Sequence, residues 1–161
     1  MPRRYRRRRT YSLARPVKTT KYSNETFIYN KSATFTAGVT TALYFIPSTN
    51  IMGTRKCKNF TLTLCCFPNA PFLFALVYVP EGTSPSNLNS SNEHPVSMYE
   101  PNQNVIMSGL FGGPYSATNR FKSRLARNLN SGDSIALLIA SLATTETAQP
   151  VTAILNYAVA F

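Results

Sequence analysis

From Asn24 onward the chain sets apolar side chains at alternate positions over several short stretches, the period of a half-buried β-strand. The last stretch is the most regular. Val151, Ala153, Leu155, Tyr157, Val159 and Phe161 face one way, and Thr152, Ile154, Asn156, Ala158 and Ala160 face the other. Residues 58–66 alternate nearly as well, with Phe60, Leu62, Leu64 and Cys66 opposed to Thr61, Thr63 and Cys65. Residues 27–35 alternate only in part but are dominated by β-branched and aromatic residues. Residues 72–79 (FLFALVYV) are apolar throughout, which predicts a strand covered on both faces. Further strands are expected over 41–46, 104–111, 120–129 and 133–142.

Proline and glycine punctuate nearly every gap: Pro47, Gly53, Pro68, Pro80, the Gly112-Gly113-Pro114 run, Gly132 and Pro150. Segment 120–129 (RFKSRLARNL) would also suit a short helix, and its neighbours favour a strand. Eight or nine strands, many turns and no clear helix predict an all-β antiparallel sandwich or barrel. One connection is long. Residues 80–104 contain four prolines, carry Glu81, Glu93 and Glu100, and have no Lys or Arg. A loop of this length in a compact domain is usually functional, although a tolerated surface insertion has the same composition.

Charge changes the picture most. The formal net charge is +11, from 17 Lys+Arg and 6 Asp+Glu. Nine of the basic residues stand in the first 21 positions: Arg3, Arg4, Arg6, Arg7, Arg8, Arg9, Arg15, Lys18 and Lys21. No acid accompanies them, and the rest of the chain is left with a net of only +2. Like charges at this density repel one another, and the segment has no apolar period, so residues 1–23 are expected to form a disordered arm. Residues 24–161 then make one domain, long enough to bury its own core. At 43% hydrophobic residues the chain is too apolar to be disordered throughout.

The arm has the chemistry of a phosphate binder. Arginine is always ionised, and its planar fork can hold a phosphate with two hydrogen bonds. Tyr5, Tyr11 and Tyr22 are interleaved with the cations and can stack on unpaired bases. Nothing in the arm can read base edges in a fixed geometry, so binding is expected to be independent of sequence. A nuclear localisation role is compatible with the same arginines. A membrane-surface role is weaker, because the arm has no apolar face. In the body, Arg55, Lys56, Lys58, Arg120, Lys122, Arg124 and Arg127 either extend this interface or are ordinary solvated surface.

Signals for catalysis, cofactors or metal are nearly absent. The single histidine, His94, lies in the long loop, and the single aspartate, Asp133, follows Ser131-Gly132 as ordinary turn chemistry. Segment 109–113 (GLFGG) is not followed by the Gly-Lys-Ser/Thr of a phosphate loop and is expected to be a strand end and turn. Cys57, Cys65 and Cys66 suggest neither a disulfide framework nor a zinc site, and Cys65 and Cys66 are expected to be packing residues. The runs 72–79 and 135–140 fall far short of the ~20 residues of a membrane-spanning helix. The basic start is followed by polar residues, so no secretory signal is expected, and the sequons at Asn24, Asn30, Asn59 and Asn89 are expected to stay unmodified.

Taken together, the start Met1-Pro2-Arg3-Arg4-Tyr5-Arg6-Arg7-Arg8-Arg9, the segment Tyr78-Val79-Pro80-Glu81-Gly82-Thr83, the turn Leu129-Asn130-Ser131-Gly132-Asp133 and the closing Tyr157-Ala158-Val159-Ala160-Phe161 resemble the capsid proteins of circoviruses and circovirus-like circular single-stranded DNA viruses. The resemblance implies a jelly roll of about eight antiparallel strands, self-assembly of sixty copies into a T=1 icosahedral shell, and packaging of single-stranded DNA by the arm. It further implies a virion protein that passes through the host nucleus, with nuclear import receptors and an unknown cell-surface receptor as partners. On this reading the acidic 80–104 loop faces outward and the chain is not an enzyme. The alternative is a cellular, monomeric nucleic-acid-binding β-domain with a basic tail.

Overall fold

The computed structural model describes residues 21–35, 40–50, 52–66, 71–85, 104–112, 118–142 and 147–160. These form eight strands: β1 (Ser23–Phe35), β2 (Thr40–Ile46), β3 (Arg55–Cys66), β4 (Phe72–Val79), β5 (Val105–Phe111), β6 (Thr118–Leu129), β7 (Ser134–Ser141) and β8 (Thr147–Ala160). All pairings are antiparallel. One sheet has the order β1-β8-β3-β6 and the other β2-β7-β4-β5. The pairs β1–β8, β2–β7, β3–β6 and β4–β5 are nested about the middle of the chain, which is the wrapping of a jelly roll. The expected antiparallel sandwich is therefore the fold.

The inner faces of the two sheets share one core. Phe60, Leu62 and Leu64 of β3 and Val151, Ala153, Leu155, Tyr157 and Val159 of β8 meet Phe72, Phe74 and Leu76 of β4 and Ile135, Leu137 and Ile139 of β7. Each large apolar side chain buried here stabilises the fold by roughly 1.5–3 kcal/mol before entropy is counted. Leu73, Ala75, Val77 and Val79 of β4, with Ala136, Leu138 and Ala140 of β7, form a second buried cluster. Both faces of β4 are thus covered, as its unbroken apolar run predicts.

Residues 120–129 are a strand. Asn119, Phe121 and Ser123 alternate with exposed Arg120, Lys122 and Arg124, and the ladder to β3 fixes them in place. Several strands start earlier than their apolar pattern, because the ladder sets the limits: β1 pairs from Ser23↔Val159, within the segment assigned to the arm, and β8 reaches back to Thr147. Pro150 has no N–H to donate, and it sits beyond the β3 ladder, where β8 pairs with β1 alone. Gly109 lies inside β5, within the expected 104–111 strand, opposite Phe74, where an added Cβ would come 2.9 Å from the Phe74 ring.

Candidate nucleic-acid interface

A single bulge decides which cations share a face. β3 breaks register with both neighbours between Lys58 and Phe60, and Asn59 sits there with φ at +56°. Asparagine enters this left-handed region more readily than most residues. Before the bulge, Arg55 and Cys57 point inward and Lys56 and Lys58 point outward; after it, Phe60, Leu62 and Leu64 point inward. Strict alternation would have put Lys56 and Lys58 on the face of Phe60. The αL-tolerant Asn before Phe60 is the sequence signal for the bulge, and period counting passes over it.

The outer face of the β1-β8-β3-β6 sheet follows from the register. Across the sheet it carries Lys56 beside Asn128, Lys58 beside Ala126, Thr61 beside Lys122, and Thr63 beside Arg120. Asn156, Ile154 and Ala158 of β8 continue these rows, followed by Thr26, Ile28 and Asn24 of β1. Thr26 Oγ1 donates to Asn156 Oδ1 at 2.5 Å, and Thr152 Oγ1 donates to Asn30 Oδ1 at 3.2 Å. The face is thus basic along β3 and β6 and mixed across β8 and β1, where Ile154 and the exposed Ile28 stand among polar groups, and none of the three carboxylates among the described residues lies on it. Glu25 points inward, accepting a hydrogen bond from Tyr157 Oη, while Glu81 and Asp133 belong to a turn cluster at one end of the sandwich.

Of the nine arm cations, only Lys21 lies among the described residues, where it is exposed; Arg3, Arg4, Arg6, Arg7, Arg8, Arg9, Arg15 and Lys18 lie outside them. The arm's point of entry is nevertheless defined. The Tyr22 ring sits under the Lys58 ammonium, with Nζ 3.6 Å from the ring centroid, a cation–π contact. The basic segment therefore joins the body at the Lys58 end of the basic face.

Not every body cation belongs to that face. Arg55 is buried, donates from Nη2 to the Pro47 carbonyl at 3.5 Å and acts on Asp133. Arg127 lies opposite Cys57 on the inward side, half-buried, with Nη1 donating to the Ala126 carbonyl at 3.4 Å. These two arginines are structural, which narrows the seven cations of β3 and β6 to five on the face.

Asp133 does more than close its own turn. It accepts hydrogen bonds from Tyr78 Oη at 2.7 Å, from the Asn130 N–H at 2.7 Å and from the Glu81 N–H at 3.1 Å. Gly132 N–H donates to the Thr49 carbonyl at 3.2 Å, so three connections are tied together at the end where the arm enters. Burial alone would raise the Asp133 carboxyl, but the three hydrogen bonds and the Arg55 charge outweigh it and hold the group below the usual aspartate range. Burial and the bond to Asp133 push the Tyr78 phenol up to about 12. Burial also raises the Cys57 thiol to about 11, which leaves it protonated and unreactive at neutral pH. These groups hold the fold together. His94 and most of the 80–104 loop lie outside the described residues. Among the described residues, no cluster of three or more His, Cys, Asp or Glu groups stands close enough to hold a metal ion. Cys65 is half-exposed on the outer face, opposite Thr118.

No family model matches the chain, and no curated protein matches it. Among solved structures, the chain is similar to one described as infectious bursal disease virus, Gx strain, with a TM-score of 0.46 at 7% sequence identity. The match covers 88% of this chain and 32% of that one, so this chain spans about a third of its neighbour's length.

Proposed function

We propose that this chain is a viral coat protein. Its jelly-roll body is one unit of a closed shell, and its arginine-rich arm holds a single-stranded DNA genome on one side of that wall. The observation that carries the reading is the join between the two parts: nine cations at residues 3–21 lead into an all-β body whose charge is otherwise nearly balanced, and the chain enters that body at Tyr22 beside a basic sheet face that none of the described carboxylates shares. Arg3, Arg4, Arg6, Arg7, Arg8, Arg9, Arg15, Lys18 and Lys21 take phosphates without reading sequence. β1, β6, β2 and β5 are edge strands, and association of copies is one way to cover such edges. Sixty symmetric copies, residence in the virion and passage through the nucleus by way of the same arginines complete the proposal.

Deleting residues 1–21 tests the division of labour. β1 begins at Ser23, so all eight strands remain. The shortened chain is expected to keep its β-sheet circular dichroism and to lose most of its affinity for an oligothymidylate. The log–log salt slope should shrink by about 6, from about 0.7 per single-strand phosphate contact. Unchanged affinity with an unchanged slope would overturn the reading.

A further inference from the structure

We propose that the outer face of the β1-β8-β3-β6 sheet is a second binding surface for single-stranded nucleic acid, with Arg120, Lys122 and Arg124 on β6 and Lys56 and Lys58 on β3 taking its phosphates. This deepens the coat-protein reading and rests on it for the class of partner. Scattered surface cations are ordinary; here they are segregated. Of the seven cations on β3 and β6, the five that are free of the interior stand on one face, with none of the described carboxylates beside them.

The spacing suits a polymer. Arg120, Lys122 and Arg124 occupy alternate positions of a strand, so successive cations stand about 7 Å apart along it. β6 is an edge strand, which leaves this row open from the side as well as from above. Lys58 and Lys56 continue the positive surface on β3 toward the point where the arm enters. A strand gripped by the arm therefore meets these groups next, with none of the described carboxylates between.

The groups between the cations fit the same partner. Thr61, Thr63, Asn128 and Asn156 offer hydroxyls and amides that can donate to phosphate or sugar oxygens. Tyr22, beneath Lys58, supplies an aromatic ring where the face meets the arm. No helix among the described residues rises from the face to enter a duplex groove. A flexible single strand, followed along its backbone and not read by base, is what such a surface can hold. On the other sheet the face turned away from the shared core is buried, not open: Leu73, Ala75, Val77, Val79, Ala136, Leu138 and Ala140 form a covered apolar cluster.

The test uses the full chain in three forms: unchanged, with Arg120→Gln, Lys122→Gln and Arg124→Gln together, and with Arg6→Gln, Arg7→Gln and Arg8→Gln together. Affinity for a fluorescent oligothymidylate is measured over a salt series, and circular dichroism confirms that each form is folded. Each triple variant is expected to reduce the slope by about 2, from about 0.7 per contact. A face variant with an unchanged slope beside a weakened arm variant overturns the second surface and leaves the arm reading intact. A weakened face variant beside an unchanged arm variant does the reverse. Phosphatidylserine vesicles serve as a second probe; if the face variant lost only vesicle binding, the surface would be a lipid contact and the proposal would fail. Should the β6 triple not fold, Lys56→Gln with Lys58→Gln gives the same reading, with an expected reduction of about 1.4.

Discussion

Asp133 concentrates several interactions in one carboxylate. It lies at 4% exposure and joins Tyr78, Asn130 and Glu81 through hydrogen bonds, with Arg55 adding its charge. Its carboxyl is held below its unfolded value of about 3.9, so its contribution to stability is complete above that value and is lost as pH falls through the folded one. Asp133→Asn is expected to lower stability at pH 7 by about 2–4 kcal/mol, because a neutral amide cannot accept all three bonds. Thermal unfolding followed from pH 7 down to pH 2 checks this: the two forms should differ most at neutral pH and converge in acid. A gap that did not change with pH would mean that the charge is not what holds the turn. The same residue read from sequence is an ordinary turn aspartate, since its partners stand more than fifty positions away, at Tyr78 and Glu81.

At the scale of single strands, β5 offers the sharpest test. Gly109 lies where a Cβ would press 2.9 Å from Phe74 Cε1, and the Phe74 ring is itself held 4.4 Å from Phe121, centroid to centroid. The ring has little room to yield, so Gly109→Ala is expected to destabilise by about 1–3 kcal/mol, read as a fall in the chemical-denaturation midpoint. An unaffected midpoint would show that the packing relaxes at no cost. Strand identity was largely legible in the sequence, because the apolar alternation of β3 and β8 and the apolar run of β4 record directly how many faces are buried. Strand limits were less legible: the first residues of β1 are Ser23, Asn24, Glu25 and Thr26, with no apolar pattern, and they are strand because β8 lies beside them. The division of basic residues between interior and face was hidden for a similar reason. It depends on the bulge at Asn59, a single backbone conformation that reverses the phase of β3.

For the whole molecule, the charge separation is the organising fact. The arm joins the body beneath Lys58, and the basic face extends from that point. The arm's composition was plain from the sequence, whereas its attachment beside a sheet face that none of the described carboxylates shares required the register of four strands. The most direct test is to mix the purified full chain with single-stranded DNA, image the product by electron microscopy, and then treat it with nuclease. The coat-protein account expects closed particles of uniform diameter that protect the DNA from digestion. A species near 17.9 kDa under all conditions, with its DNA fully digested, would contradict it.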